Sequence, residues 1–183
     1  MHTNIVQLTR YFSYSSVLRF TEEVFLSVGF SSADAELSAR LLTRADIRGI
    51  DSHGVARLSG YVRLIKAGRL NPEPQFNWSG RFPVLRTLDA DQSIGFVSAH
   101  AAMSECISMA EKFGCAMVAV NNSNHFGIAG FYSEMAARKD MIGIGMTNTA
   151  ALGVPTFGRK AMFGTNPIAF SIPAHDGRMF TLD

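Results

Sequence analysis

Apolar positions recur at helical spacing through the first part of the chain, then give way to short strand-like runs separated by Gly and Pro. Ser15 or Ser16 opens a first helix with Val17, Phe20, Val24 and Val28 as its apolar positions, closed by Gly29. Ser31, with Asp34 three residues on, is a capping-box start for a second helix. Leu37, Leu41, Leu42 and Ala45 line its buried face. A third helix, capped by Asp51 or Ser52, carries Val55, Leu58, Val62 and Ile65 as one stripe and ends at Gly68. His53, Arg57 and Tyr61 are spaced four apart, off that stripe and stacked on one face.

From about residue 83 the pattern changes. Residues 84–88 read as a strand, 95–113 as a helix closed by Gly114, and 115–120 as a short apolar strand. A loop over 121–127 leads into a helix to about Arg138, and 141–147 is a further strand. This is a βαβ-type alternation. Residues 148–166 form a long loop punctuated by Gly and Pro, and long loops in compact domains are usually functional. Residues 168–172 and 179–182 then make a hairpin around Ala174-His175-Asp176-Gly177. The expected fold class is α/β. A helical layer over 1–80 is followed by a mixed α/β part over 81–183.

Composition narrows this picture. Of the 183 residues 47% are hydrophobic and 17% charged, the balance of an ordered globular chain. The net charge is +2 with no Lys/Arg run, so nothing marks a nucleic-acid partner. No apolar run reaches the roughly 20 residues that span a bilayer. Cys106 and Cys115 read as buried thiols rather than a disulfide, which fits a reducing cytoplasm. The first 21 residues hold two arginines and no acid, a composition resembling a transit peptide, without a secretory h-region. No repeat, zinc-type Cys/His spacing, Walker loop or G-x-G-x-x-G occurs, so an ordinary Rossmann site is not expected.

Three polar clusters carry candidate chemistry. In Asp51-Ser52-His53-Gly54-Val55-Ala56-Arg57, a helix N-terminus would lower the His53 pKa, Ser52 could orient the ring, and Arg57 could fork onto a carboxylate. The same run also reads as a helix cap with a solvated His and a surface Arg. Asn124-His125-Phe126-Gly127 follows an apolar strand and precedes a helix, where α/β proteins place ligands and helix N–H groups suit a phosphate. It also reads as a polar turn. Gly164-Thr165-Asn166-Pro167 offers a hydroxyl and an amide to a substrate carboxylate, or is only a turn into a strand. His2, His100 and His175 have no partner pattern, and Asp89 and Asp91 bracket a turn as solvated acids.

Taken jointly and in order, these stretches resemble a known family. The run Asp46 to Arg57, then Tyr61, then Gly68-Arg69-Leu70-Asn71-Pro72, is similar to the N-terminal signature of the type-2 malate/lactate dehydrogenases. That family includes ureidoglycolate, sulfolactate and diketogulonate enzymes and cyclic-imine reductases. Asn124 to Gly127, Thr147-Asn148-Thr149 and Phe163 to Ala169 match later motifs, so the resemblance runs from about residue 15 to the end.

The resemblance implies a cytoplasmic, homodimeric oxidoreductase using NAD or NADP, with a non-Rossmann, sulfolactate-dehydrogenase-like α/β fold. It implies His53 as proton donor, with Ser52 relaying the proton or orienting the ring. Arg57 would hold the carboxylate of a small substrate, with Thr165 assisting and Tyr61 as a pocket wall. His125, Phe126, Gly127, Ile128 and Ala129 would line the cofactor and substrate pocket, with His125 also catalytic, and Thr149 near the cofactor. Family chains run well beyond this length, and Asp183 resembles the opening of a cofactor-contacting segment. The expectation is therefore the N-terminal half of such an enzyme, with 81–183 an incomplete cofactor-binding domain. A second expectation is a non-catalytic, dimerising or binding relative. A Ser-His hydrolase using Ser52 fits poorly, because adjacent Ser and His rarely reach the geometry of nucleophile and base, and no nucleophile elbow is present.

Overall fold

Hydrogen-bonding side chains mark where the first two helices begin. The computed structural model describes residues 11–183. His2 and the first part of the transit-peptide-like stretch lie outside the described residues. Helix α1 spans Tyr14–Ser27, and its cap is Ser13, two residues earlier than the sequence suggests, accepting from the Ser16 N–H. Phe20 is 56% exposed while Thr21 and Phe25 are buried, so the buried face is rotated from the expected stripe. Gly29, at φ +99°, turns the chain so that Phe30 stacks on Phe25 at 4.9 Å. Helix α2, Ser32–Ile47, begins at the expected capping box. Ser31 Oγ receives the Asp34 N–H at 3.2 Å and donates to the Asp34 carboxylate at 2.8 Å. Leu41, Leu42 and Ala45 are buried as read from the sequence.

The third helix differs. Two 3₁₀ turns, Asp51–His53 and Val55–Arg57, precede helix α3, Leu58–Lys66. Gly54 between them is extended (φ −91°, ψ −156°), which breaks the helix the sequence pattern suggested.

Strand β1, Asn77–Phe82, pairs antiparallel with β2, Leu85–Ser93. Helix α4, Gly95–Phe113, then carries the chain to β3, Met117–Ser123, which lies parallel to β2. This β2-α4-β3 unit is the expected crossover. The alternation in strand β1 is weak, since Trp78 and Phe82 are its only apolar residues and Gly80 stands between them, so the strand is not expected from the sequence. Asp91 and Gln92 take positive φ where the β2–β3 register shifts. There Asp89 accepts from the Asp91 N–H and the Asn122 amide, each at 3.0 Å, and Asp91 accepts from Asn71 and Gln75. The two acids thus have structural partners rather than standing only in solvent.

Helix α5, Gly130–Ala137, leads into β4, Gly143–Met146, β5, Ile168–Pro173, and β6, Met179–Leu182. These three strands form a separate antiparallel sheet, and β5–β6 is the expected hairpin. Cys106 is half-buried and Cys115 exposed, and both are free thiols. Cys115 is not buried as expected, because β3 starts two residues beyond it.

One core cluster takes Phe25, Leu42, Leu58, Tyr61 and Leu70 from before residue 80 and Ile94, Phe96 and Tyr132 from after it. Glu134 ties the same two regions by charge. Its side chain is 7% exposed, pairs with Arg48 at 2.7 Å and is in contact with Arg44, with Arg138 3.6 Å away. Replacing Glu134 by Ala strands two guanidinium groups. Because these are 35% and 34% exposed, solvent recovers part of the penalty. The expected loss is about 2–3 kcal/mol in urea denaturation, between surface and fully buried pairs. A loss under about 0.5 kcal/mol, the level of a surface pair, contradicts this reading.

Candidate active site

Three elements bring Ser52, His53, Arg57, Tyr61 and His125 together. The first is the pair of 3₁₀ turns. Asp46, near the end of α2, accepts the Val55 N–H at 2.9 Å. A Cβ on Gly54 would overlap the same carboxylate, so only glycine lets the chain pass this close. Arg57 Nε donates back to the Ser52 carbonyl, closing the segment on itself. Ser52 Oγ lies 2.9 Å from His53 Nδ1.

The second element is α3, which buries Tyr61 against Phe96 with ring centroids 5.4 Å apart. The third is the loop after β3. The Gly95 N–H donates to the His125 carbonyl at 3.1 Å. The Asn124 amide donates to the Gln92 and Ser93 carbonyls at 2.8 and 3.1 Å. Gly127 has φ +78°, and a Cβ there would meet the Phe96 ring at 2.8 Å. The loop is thereby held onto the β2–α4 junction and the core.

These supports place the two imidazoles face to face, centroids 5.4 Å apart and 29° from parallel. Tyr61 Oη is 2.8 Å from His125 Nδ1, and the Gly127 N–H donates to that same nitrogen at 3.3 Å. Arg57, Tyr61 and His125 line a cleft of about 510 Å³ with Ala56, Ser59, Gly60, Arg63 and Leu64. His53, Arg57 and Tyr61 are not stacked on one helix as the spacing suggested. His53 stands on the 3₁₀ turn, and Tyr61 points into the core, reaching the site through its hydroxyl.

The electrostatics follow from partial burial beside a cation. His125 is lowered to about 4, first by burial, then by Arg57 and His53. His53 is lowered by burial and Arg57 and raised by Asp183. The expected helix dipole is not among the causes. Burial raises Tyr61 above the ordinary phenol value. Among the described residues Arg57 has no carboxylate at ion-pair distance. A cleft lined by Arg57, Arg63 and His125, with His53 stacked beside it, suits an anion with an adjoining hydrogen-bonding group.

The other expected residues fall around this centre. Phe126 stacks on Tyr132 at 5.2 Å, and Tyr132 Oη donates to the Phe126 carbonyl. Ile128 and Ala129 are 6% and 3% exposed, so they pack beneath the loop. Asp183 accepts the Gly130 N–H at 2.7 Å. Thr149 and Thr165 form a separate hub: their hydroxyls are 3.3 Å apart, and Asn166 Oδ1 accepts the Thr149 N–H at 2.9 Å. Among the described residues no hydrogen bond joins this hub to the imidazole pair. Asp46 and Tyr132 were not singled out in the sequence as site supports. Asp46 opens the first motif, and that position was the available signal.

The sequence matches the family model described as malate/L-lactate dehydrogenase over residues 12–183. The chain belongs to this family. It is 44% identical over 164 residues to malate dehydrogenase of Pyrococcus abyssi, covering 90% of this chain and 45% of that one. With L-sulfolactate dehydrogenase of Methanocaldococcus jannaschii it shares 38% identity over 161 residues, 88% of this chain and 46% of that one. Its fold superimposes on malate dehydrogenase from Pyrococcus horikoshii OT3 with a TM-score of 0.88 at 37% identity, covering 95% of this chain and 52% of that structure. The chain thus spans about half the length of the relatives it matches. The fold is the mixed α/β architecture of these dehydrogenases.

The lowered His125 pKa predicts a pH effect on stability. The folded state resists a proton that the unfolded imidazole accepts at 6.5, so the unfolded state binds more protons between pH 6.5 and about 4. Stability is full above that window and falls on acidification through it. Urea midpoints measured from pH 7 to 4 fall, and His125→Gln flattens the part of the slope due to this ring. An unchanged slope in that variant counts against the geometry.

Proposed function

We propose that this chain carries the catalytic half-site of an NAD- or NADP-dependent oxidoreductase that interconverts a small 2-hydroxy acid and its 2-oxo acid. The observation that carries the reading is the unpaired Arg57 beside the stacked His53–His125 pair. Family membership gives it its chemical class.

In this reading Arg57 holds the substrate carboxylate through the N–H groups its Ser52 contact leaves free. That fixes which way the adjoining carbon faces. His53 gives a proton to the carbonyl oxygen during reduction and takes it back during oxidation. Its lowered pKa makes the protonated ring a better acid. Ser52 orients the ring through Nδ1. A bound nicotinamide supplies or takes up the hydride.

The donor set suits part of such a cofactor. The Asp183 carboxylate stands at the start of α5, and the Thr149 and Thr165 hydroxyls share the 147–167 loop. We assign Asp183, Thr149 and the 125–129 loop to cofactor contact, Thr165 to assisting Arg57, and Tyr61 to the cleft wall. NAD and NADP fit this set equally.

A homodimer in the cytoplasm completes the reading. Its support is the apolar surface of the second sheet and its loop, where Met146, Leu152, Met162 and Phe180 are each more than half exposed. The same surface favours a second reading, a dimerising module without turnover.

NADH and NADPH oxidation with pyruvate or oxaloacetate as acceptor separates the two. The dehydrogenase reading expects turnover that falls about 10²–10⁴-fold in His53→Ala, the range for losing a general acid. Turnover unchanged in that variant removes His53 as the acid. A folded chain that oxidises neither cofactor alone but does so when joined to the remaining length of a relative keeps the dehydrogenase reading, whereas no turnover in either form favours the dimerising module.

A further inference from the structure

His125 carries two hydrogen bonds on one atom, and the chemistry of the donors fixes the ring. A backbone N–H can only donate. The Gly127 N–H therefore requires a lone pair on Nδ1, and the proton of a neutral ring must sit on Nε2. With Nδ1 unprotonated, Tyr61 Oη must be the donor across its 2.8 Å contact. Nε2 makes no hydrogen bond among the described residues, yet it is not sealed from solvent. Its proton is therefore available to a ligand in the cleft. The loop cannot easily turn the ring over. The His125 carbonyl is tied to Gly95, Asn124 to the β2–α4 junction, and the ring lies between His53 and Tyr61.

We propose that Tyr61 is a positioning residue that locks His125 in its neutral Nε2–H form, making His125 a hydrogen-bond donor to the substrate oxygen and leaving proton transfer to His53. The substrate class rests on the dehydrogenase reading given above. The lock itself does not.

With the Nε2–H of His125 and the protonated edge of His53 side by side, the group undergoing reduction meets two donors, and a carbonyl oxygen, with two lone pairs, accepts both. No atom is transferred by His125 itself: hydride goes to the carbonyl carbon from the nicotinamide, and the proton to its oxygen comes from His53.

The test is long-range nitrogen–proton NMR of imidazole-labelled chain at pH 8, where both histidines are neutral. The chain has five histidines, and His125→Gln assigns the His125 signals by their loss. Wild-type His125 should show its unprotonated nitrogen at Nδ1. In Tyr61→Phe, which keeps the ring but loses the hydroxyl, the tautomer ratio should fall about fivefold or more, the equivalent of one net hydrogen bond. A fold that survives with the ratio unchanged overturns the role of Tyr61. Should Tyr61→Phe fail to fold, the wild-type spectrum still decides: an Nδ1–H tautomer overturns the lock. Added pyruvate should shift the Nε2 proton, and an Nε2 proton that does not respond while neighbouring signals do overturns the donor role of His125. A correct tautomer in a chain that oxidises no NADH or NADPH, even when joined to the remaining length of a relative, supports the lock while overturning the dehydrogenase reading, so the two can fail separately.

Discussion

The site depends on the close approach of the His125 loop to the start of α4. Three main-chain groups, Gly95 N–H and the Gln92 and Ser93 carbonyls, are satisfied there by residues 124 and 125. Buried main-chain groups need partners. Loosening this junction would therefore leave the helix start and the strand end unpaired together. The His125 loop is in this sense a structural part of the βαβ unit, and the stacked position of His125 follows from it.

The first layer is fixed by a different device with the same effect. Asp46 receives Val55 N–H and abuts Gly54, so the end of α2 sets the path of the His53 segment. Phe96 and Tyr61 then join the layers, since both belong to the central core and Phe96 also lies under Gly127. Helical layer and α/β part thus each supply one imidazole, and a shared core sets their 5.4 Å separation. Rigid elements of this kind hold functional groups more closely than free loops do.

Much of this was legible in the sequence. The Ser31 capping box, the crossover around 95–113 and the 168–182 hairpin rest on local rules, so the structure follows them. Contacts across long separations were not legible. Residue spacing put Tyr61 on a presented face, yet it is 4% exposed and meets a residue 64 positions away. Gly54 appeared as an ordinary helix residue because nothing local signals the Asp46 carboxylate beside it. Strand β1 alternates only weakly, with Gly80 between Trp78 and Phe82, and it is largely solvent-facing at the edge of its sheet. The motif resemblance singled out Ser52, His53, Arg57, Tyr61 and His125, which the fold brings together, before any geometry did. The division of work among them needed coordinates.

That division follows from simple electrostatics. Burial first, and then the Arg57 guanidinium's repulsion of a further positive charge, make each imidazole reluctant to take a proton. His125 bears the larger shift because it is more buried and feels both neighbours. His53 is less buried and has the Asp183 carboxylate acting in its favour. An arriving carboxylate on Arg57 would relieve the repulsion and raise both values, His53 first because its own burial opposes it less. In the proposed reaction, substrate binding would then itself create the acid, at the ring better able to carry the charge.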